Sequence, residues 1–315
     1  MPQTQQDLQT IVFGNVTLDI ICYPVDDVPR HDSISFDNAI ISPGGCASNT
    51  AIGLAALGIP TGIIAHTGSG DAATLLRNYW KRTGVDTRFI GTIPDTSTGI
   101  SVGLVDHKLS PRFIHTSGAN ATLTAAEINI NALISAKARH LHIAGFFVLP
   151  GLLDNQLGEK LATLQSQGLT ISLDVVFNQR MNNPKLRAAL WNALPHLNHF
   201  LCNDYEAFLL TGEKDPARAA RSLRKRGVPN VIVKLGEKGC WLEGDSVTAA
   251  IPTPVVNVVD TTGAGDAFAA GFIAALSRGS DIESACRAGN KAGAHICTRL
   301  GAIQAWLDET YTDHQ

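Results

Sequence analysis

The sequence predicts an α/β protein in which a mostly parallel, doubly wound sheet carries helices on both faces. Three observations support this: short β-rich runs alternate with segments of helical length, the helical segments end at glycines, and 44% of the 315 residues are apolar. Alternation of this kind produces βαβ units, whose crossovers cover both faces of a parallel sheet. The length allows one such domain or two smaller ones.

The strands expected in the main sheet are short runs rich in apolar and β-branched residues. They lie at 11–13, 62–65, 140–144, 170–173, 199–202 and 231–234. Helices are predicted over 49–57, 72–83 and 216–226. Each ends before a glycine (Gly58, Gly84 and Gly227), the residue that most readily takes the left-handed conformation of a helix C-terminus.

Two segments, 20–41 and 99–115, have the period of two that is typical of half-buried strands. We expect them to form a small additional sheet from insertions at about 18–43 and 95–118. Because both lie next to glycine-rich or acidic loops, a movable lid over a cleft is one interpretation. A surface hairpin used for homodimer contacts is the other, and the two roles can coexist.

Composition and charge exclude several functional classes. The net charge is -3 and the basic residues are dispersed, apart from 218–226 at helical spacing, so no nucleic-acid partner is expected. The six cysteines form no C-x-x-C pair, which favours reduced thiols in a cytoplasmic protein. The polar N-terminal stretch 1–10 does not resemble a signal peptide, and no run of about 18 apolar residues predicts a membrane span.

The most informative stretch surrounds Asp266, where residues 258–268 are Val-Val-Asp-Thr-Thr-Gly-Ala-Gly-Asp-Ala-Phe before an apolar run. We interpret it as a strand, a glycine turn and a helix. Gly263 and Gly265 allow a ligand to approach the backbone closely, and free N–H groups at a helix start bind phosphate oxygens. A carboxylate repels phosphate, so Asp266 is expected to have a chemical task, such as accepting the proton of an attacking hydroxyl.

Two other interpretations of this stretch stay open. Asp266 can be an N-terminal aspartate that only complements the helix dipole. The second alternative is a dinucleotide-binding turn, because Glu283 lies near the spacing expected of a ribose-binding acid. Phe268 argues against it, because this bulky residue occupies the position that requires a third small residue. A G-x-x-x-x-G-K-[ST] loop is absent, so a P-loop kinase is not supported.

Residues 260–268, with Ala270-Gly271-Phe272 after them, closely resemble the C-terminal signature of the PfkB/ribokinase family. Residues 43–51, with 54–58 and 68–71 beyond them, resemble the N-terminal signature. The resemblance extends over 14–302 and implies one ribokinase-like, Rossmann-like domain over 1–315 with a β-sheet lid. It also implies transfer of the γ-phosphate of ATP to a hydroxyl of a small sugar-like acceptor.

The resemblance implies a role for each matching residue. The aspartate matching Asp266 is the catalytic base, and the amides of a four-residue turn form the anion hole for the transferred phosphoryl group. Acceptor binding falls to four residues near the N-terminus, although Asn49 can instead be only the N-cap of the helix after it. The implied anion-hole residues are Thr262, Gly263, Ala264 and Gly265, and the implied acceptor ligands are Asp19, Gly44, Gly45 and Asn49.

Nucleotide and metal binding are implied by two further matches. Asn203 and Glu206 resemble the family's N-x-x-E, which organises Mg²⁺ through water, although Glu206 can also be a solvated helix-start residue. Lys234, with Gly236 and Gly239, resembles the strand and turn that border the nucleotide, and an ordinary hairpin turn is the alternative.

A monovalent cation such as K⁺ is also implied, bound by the positions matching Asp260 and Thr262 and by nearby carbonyls, but the last ligand position is Ala305, which has no hydroxyl.

The sequence departs from ribokinase at two acceptor positions, because Cys46 stands in place of a lysine and Gly145 in place of an acid. The segment with Phe146 and Phe147 more nearly resembles nucleoside kinases, in which an aromatic ring can stack on a base; a core pair of phenylalanines is the alternative.

The second inserted segment and the middle of the chain contain further polar residues. Arg112 and His115 can contact an acidic acceptor or be solvated, His66 and His142 are expected in the core, and Asp174, Asn178 and Arg180 stay outside the catalytic set. Three functions therefore compete: a carbohydrate or nucleoside kinase, an NAD(P)-dependent oxidoreductase, and a binding protein without catalysis.

Overall fold

The computed structural model describes residues 7–108, 111–152 and 156–307; the ends of the expected 1–315 domain lie outside the described residues. The strands are β1 Thr10–Gly14, β2 Thr17–Tyr23, β3 Asn38–Gly44, β4 Thr61–Thr67, β5 Asp86–Thr92, β6 Gly99–Val105, β7 Pro111–Thr116, β8 His140–Ala144, β9 Thr170–Asp174, β10 His199–Asn203, β11 Asn230–Lys234, β12 Cys240–Glu243 and β13 Thr248–Ile251. The α-helices are α1 Cys46–Ala56, α2 Asp71–Thr83, α3 Ile130–Ser135, α4 Gln156–Ser166, α5 Pro184–Ala193, α6 Asp204–Thr211, α7 Pro216–Arg224, α8 Ala264–Ser277, α9 Ile282–Ile296 and α10 Gln304–Leu307.

The larger sheet has nine strands in the order β13-β12-β11-β10-β9-β8-β1-β4-β5. All of its pairs are parallel except those of β12 with its two neighbours, which are antiparallel. Every predicted run of the main sheet lies in one of these strands. The chain proceeds outward from β1 in both directions, which confirms the doubly wound prediction and places the crevice for ligands at the carboxyl ends of the strands.

Two apolar cores lie on opposite faces of this sheet, as alternating side chains of its buried strands require. Phe13 and Leu141 belong to one core, while Val12, α1 and α8 belong to the other. None of the helices in the described ranges combines the length and apolar character needed to cross a membrane. The arginines of α7 are paired with Glu213, Glu243 and Asp245, so they form salt bridges rather than a free basic patch.

The helix boundaries differ from the predicted ones at two places. Gly84 ends α2 with a φ of 79°, as predicted, but α7 ends at Arg224, before Gly227. The start of α1 is at Cys46, three residues earlier than predicted, and Gly45 is its N-cap with a φ of 83°. Asn49 therefore lies inside the helix, and its interpretation as an N-cap is wrong.

The predicted strand before the glycine turn is also wrong. Residues 252–260 form no regular element, and Val258 is 59% exposed. The β-branched Val258 and Val259 predicted a strand, but no strand of the described residues pairs with them. Instead, the N–H groups of Val259 and Asp260 donate to the carbonyl of Cys297, which fixes this segment beside α9.

The two inserted segments form a second sheet of four strands in the order β3-β2-β6-β7, which confirms the predicted small sheet. The outer pairs are antiparallel, and β2 pairs with β6 in parallel. Its two faces differ sharply. Asp19 and Ser101 are buried on the inner face, while Ile41 and Ile114 are 49% and 66% exposed on the outer face.

The contact between α1 and α8 is close because Gly53 lacks a side chain. A Cβ atom at Gly53 would lie 2.8 Å from the Cβ of Ala270 and 3.3 Å from the indole of Trp306. Both of those groups are buried. The close approach matters for the site, because Asn49 lies one turn before Gly53 and Asp266 one turn before Ala270.

We predict that Gly53→Ala destabilises the protein. The better helix propensity of alanine contributes about 1 kcal/mol, but forcing α1 from α8 costs about 1–3 kcal/mol. The free energy of unfolding in urea should therefore fall by up to about 2 kcal/mol, with weaker activity. Gly70→Ala is the matched control, since no atom lies within 4 Å of its added Cβ. A stabilised and fully active Gly53→Ala variant would contradict the prediction.

Candidate active site

Asp266 lies in the first turn of α8, which begins after Gly263 in the left-handed conformation, with a φ of 78°. Its Oδ2 accepts a hydrogen bond of 2.9 Å from Nδ2 of Asn49, so the side chain points across to α1. The residue is partly exposed. Burial among protein atoms raises the pKa of Asp266 to about 7, although the hydrogen bond from Asn49 acts in the opposite direction.

The turn before α8 is held by the carboxylate of Asp260. Its Oδ1 accepts from the N–H and the hydroxyl of Thr262, at 2.9 and 2.7 Å, and its Oδ2 accepts from the N–H of Gly301 at 2.8 Å. A Cβ at Gly263 would lie 2.7 Å from that of Ala302, so only glycine fits there. The N–H group of Ala264 donates to the carbonyl of Thr261 at 3.2 Å, and the N–H groups that follow it at the helix start have no helical carbonyl one turn earlier and are available to an anion.

Lys234, at the end of β11, brings a positive charge to this turn. Its Nζ lies 2.7 Å from Oδ2 of Asp174, the last residue of β9. The same Nζ lies 3.1 Å from the position that a Cβ of Gly265 would occupy. Burial alone would lower the pKa of Lys234, but the carboxylates of Asp174 and Glu206 outweigh it and hold the pKa above its usual range. The ammonium group is therefore charged.

Asn203 and Glu206 form a capping box at the start of α6. The side chain of Asn203 accepts from the N–H of Glu206, and Glu206 accepts from the N–H groups of Asn203 and Phe177. Glu206 is only 3% exposed, so the alternative of a solvated helix-start residue is wrong. Burial raises the pKa of Glu206 to about 7.

The predicted acceptor ligands lie next to one another. Asp19 is buried on β2, its Oδ1 accepts from the hydroxyl of Thr17 at 2.6 Å, and burial raises its pKa to about 6. Gly44 lies against this carboxylate, because a Cβ there would be 2.0 Å from its Cγ. Gly45 then leads into α1, where the buried Oδ1 of Asn49 has no hydrogen-bond partner in the described part of the chain.

Gly236 and Gly239 form the turn between β11 and β12, with φ values of 58° and 86°. The turn is closed by a hydrogen bond of 2.7 Å from the N–H of Leu235 to the carbonyl of Gly239. A Cβ at Gly239 would lie 2.0 Å from the carbonyl oxygen of Ile251. The hairpin interpretation is therefore correct for the backbone, and it is compatible with a role beside a nucleotide.

The interpretation of Phe146 and Phe147 as base-stacking residues is wrong. Both rings are completely buried and pack edge to face, with centroids 5.1 Å apart, in the core on the other side of the sheet from α1 and α8. Gly145 takes a φ of 73° just before them, which turns the chain so that both rings point inward.

The remaining predicted polar residues have local roles. The guanidinium of Arg112 donates to the carbonyls of Val25 and Asp26. His66 and His142 are buried, as predicted, and bond to Thr122 and Ser172. Asn178 caps the short helix Gln179–Asn182. Glu283, the ribose-binding acid of the dinucleotide interpretation, pairs with Arg287 on α9.

Asp174 is a buried residue of the candidate site that sequence reasoning set aside. It is 3% exposed at the carboxyl end of a central parallel strand, which is where α/β proteins bind ligands. The signal was its position directly after the predicted strand 170–173. Extra residues between Asp174 and Asn178 obscured the match, but the structure gives the two different partners: Asp174 pairs with Lys234 beside the turn before α8, and Asn178 caps the short helix Gln179–Asn182.

The chain matches the family model described as pfkB family carbohydrate kinase over residues 8–309. It is 30% identical to an uncharacterized sugar kinase of Archaeoglobus fulgidus, covering 80% of this chain and 96% of the relative. It is also 30% identical to 2-dehydro-3-deoxygluconokinase of Bacillus subtilis, covering 84% and 82%. A solved structure described as a ribokinase II in complex with ATP and Mg²⁺ from E. coli has 25% identity, a TM-score of 0.82 and 95% coverage of both chains.

These similarities extend over nearly the whole chain and agree with the observed topology. They also remove the oxidoreductase hypothesis, which had depended on a strand before the glycine turn that the structure does not contain. The protein belongs to the PfkB family of carbohydrate kinases, and its activity is that of an ATP-dependent kinase.

Proposed function

We propose that this kinase phosphorylates a hydroxyl of a small sugar or related polyol, with Asp266 as the catalytic base. The observation that carries the proposal is the position of the Asp266 carboxylate. It stands in the first turn of α8, is hydrogen-bonded to Asn49 at 2.9 Å, and is partly open to solvent. It thus lies between the anion-binding turn and the predicted acceptor ligands.

In the proposed step, the acceptor hydroxyl gives its proton to Asp266 while its oxygen forms a bond to the γ-phosphorus of ATP. The bond from the γ-phosphorus to the β,γ-bridging oxygen breaks, and ADP leaves with the electron pair. The proton then passes from Asp266 to solvent. Because such transition states are loose, positioning and charge stabilisation contribute more than the strength of the base.

The turn before α8 would hold the transferred phosphoryl group. The amides of Gly263 and Gly265 are the proposed donors, because the N–H and hydroxyl of Thr262 already donate to Asp260 and the N–H of Ala264 donates to the carbonyl of Thr261. Asp260 keeps the turn in shape through its bonds to Thr262 and Gly301. The potassium ion predicted at Asp260 stays a prediction.

The residues present fit a magnesium ion bound through water. The predicted pair offers oxygen donors only, which suit Mg²⁺, and both already accept backbone N–H groups, so they are suited to hold water molecules around a nucleotide-bound ion. The ion, when bound, neutralises phosphate charge. Asn203 and Glu206 would orient its water shell, and the turn Gly236–Lys238 with Gly239 would border the nucleotide.

The acceptor is proposed to bind against the inner face of the second sheet. Register places Ser42, Asp19, Ser101 and His115 in one row across its four strands. Three of these side chains are buried, and Ser101 contacts the imidazole of His115 at 3.1 Å. Carboxylate, hydroxyl and imidazole groups suit the hydroxyls of a sugar. The nucleoside alternative has no support from Phe146 and Phe147.

The second sheet is proposed to act as a lid on a single domain, and its outer face as a homodimer contact. Ile41, Ile20, Val102 and Ile114 are in register across the four strands and form an apolar row on that face. A second copy of the chain would cover it. A cytoplasmic location is proposed because all six cysteines are free thiols.

We predict that Asp266→Asn lowers kcat by at least about 100-fold, with KM values changed only a few-fold, because the amide cannot accept the proton. ADP release from MgATP should be measured with a panel of sugars, sugar acids and nucleosides. Val258→Ala, at an exposed side chain in the segment before the turn, is the control. Full activity of Asp266→Asn, or turnover only with nucleosides, would contradict the proposal.

The raised pKa of Asp266 predicts a pH dependence. Below a pH of about 7 the carboxyl is protonated and cannot act as a base. With MgATP saturating, kcat/KM for the acceptor should therefore fall as the pH drops, tenfold per unit, from a midpoint at or above the pKa of about 7. A profile that stays level down to a pH of about 5, the range of an ordinary carboxylate, would rule out this carboxyl as the base.

We predict that Ile114→Lys converts a dimer into monomers, because it places a charge at the most exposed position of the apolar row, on the edge strand β7. Light scattering after size-exclusion chromatography gives the mass directly. Ile134→Lys is the control, since Ile134 is 43% exposed on α3, outside this sheet. A monomeric native protein, or an Ile114→Lys variant that stays dimeric, would refute the proposed contact.

A further inference from the structure

Lys234 and Asp174 form an ion pair that spans the end of a strand. They end β11 and β9, and β10 lies between these two strands in the sheet. The ammonium group reaches across to within 2.7 Å of Asp174 Oδ2, and the side chains are 15% and 5% exposed. The ion pair therefore connects the carboxyl ends of β9 and β11 across β10.

Stability alone does not account for this pair. Moving two charges out of water costs hydration free energy, and their mutual attraction recovers only part of it. Replacing a buried ion pair by apolar residues of similar size therefore often leaves the stability unchanged. The second oxygen of Asp174 is buried and has no hydrogen-bond partner within the described ranges, which adds to the cost. The position of the pair beside the turn offers a reason for this cost.

The ammonium group is directed at the anion-binding turn. It lies 3.1 Å from where a Cβ of Gly265 would be, so it stands against the backbone whose amides are proposed to hold the phosphoryl group. Because Gly265 has no side chain, there is room for the ammonium group at this position; the methyl group of an alanine would be in tight contact with Nζ of Lys234. The ammonium therefore lies within reach of an anion bound to the same amides.

We propose that Lys234 is a catalytic residue that contacts the transferring phosphoryl group and that Asp174 is the positioning residue that aims its ammonium. The proposal rests on the proposed function, because it assumes that the γ-phosphate binds at the turn before α8. A fixed positive charge there stabilises the charge carried by the phosphoryl oxygens in the transition state. Asp174 holds the long lysine side chain in one conformation before ATP binds.

The two residues act oppositely on the proposed base. The groups that face Asp266 are Asn49 and Cys46 on α1, Asp174 on β9 and Lys234 on β11. Asp174 raises the pKa of Asp266 and Lys234 lowers it. Removing the lysine charge should move the acidic limb of the pH profile to higher pH, and removing the aspartate charge should move it to lower pH. Loss of structure alone would not produce shifts of opposite sign.

The first test needs no acceptor. The affinities of the native protein for Mg-ADP and for the non-hydrolysable ATP analogue AMP-PNP with Mg²⁺ are measured by calorimetry. Lys234→Met should weaken AMP-PNP binding by about tenfold or more and leave ADP binding within a few-fold, because only the analogue has a γ-phosphoryl group. Lys234→Arg, which keeps the positive charge, should keep most of the native affinity for AMP-PNP. Lys225→Met, at an exposed lysine after α7, is the control.

The second test uses turnover with whichever sugar the panel identifies. Lys234→Met should lower kcat by about 100-fold, Asp174→Asn should lower it less, and the two pH profiles should shift in opposite directions. Equal loss of ADP and AMP-PNP binding, or pH profiles that do not move, would overturn the proposal. If the native protein binds both nucleotides yet phosphorylates no sugar, the proposed function fails while the binding test still decides the role of Lys234.

Discussion

The hydrogen bond between Asn49 and Asp266 joins the two halves of the active site. Asn49 belongs to the helix that follows the second sheet, and Asp266 to the helix that follows the anion-binding turn. Under the proposed function both halves are needed, because one carries the groups that would bind the acceptor and the other carries the amides that would bind the phosphoryl group. The absence of a side chain at Gly53 lets the two helices approach closely enough for this bond of 2.9 Å to form.

Carboxyl groups outnumber ammonium groups at the candidate site. Asp266, Asp174 and Glu206 supply three carboxyl groups, and burial raises the pKa of the first and last to about 7. Lys234 is the ammonium group among them. A polyphosphate entering such a site requires further positive charge, which is a physical reason for the nucleotide to arrive with Mg²⁺.

Sequence reasoning located the strands well because a buried parallel strand is specified by local composition. Asp266 and Asp19 were named from contiguous motifs, and their roles stay predictions. Sequence reasoning failed where tertiary contacts determine the local structure. Val258 and Val259 favour a strand, but no strand of the described residues pairs with them. The start of α1 was also missed, because its N-cap is a glycine, which has no capping side chain. Asp174 was set aside because extra residues before Asn178 obscured its match, and its contact with Lys234, 60 residues away in the chain, is set by the fold.

The second sheet shows how one strand pattern can serve two purposes. A period of two sends alternate side chains to opposite faces, so a strand that presents Asp19 inward must present Ile20 outward. The inner row carries groups suited to hydroxyls, and the outer row is apolar and exposed. Because both rows share the same strands, a contact that orders the outer face would also fix the position of Asp19. In that arrangement, association of two chains and closure over the acceptor are physically coupled.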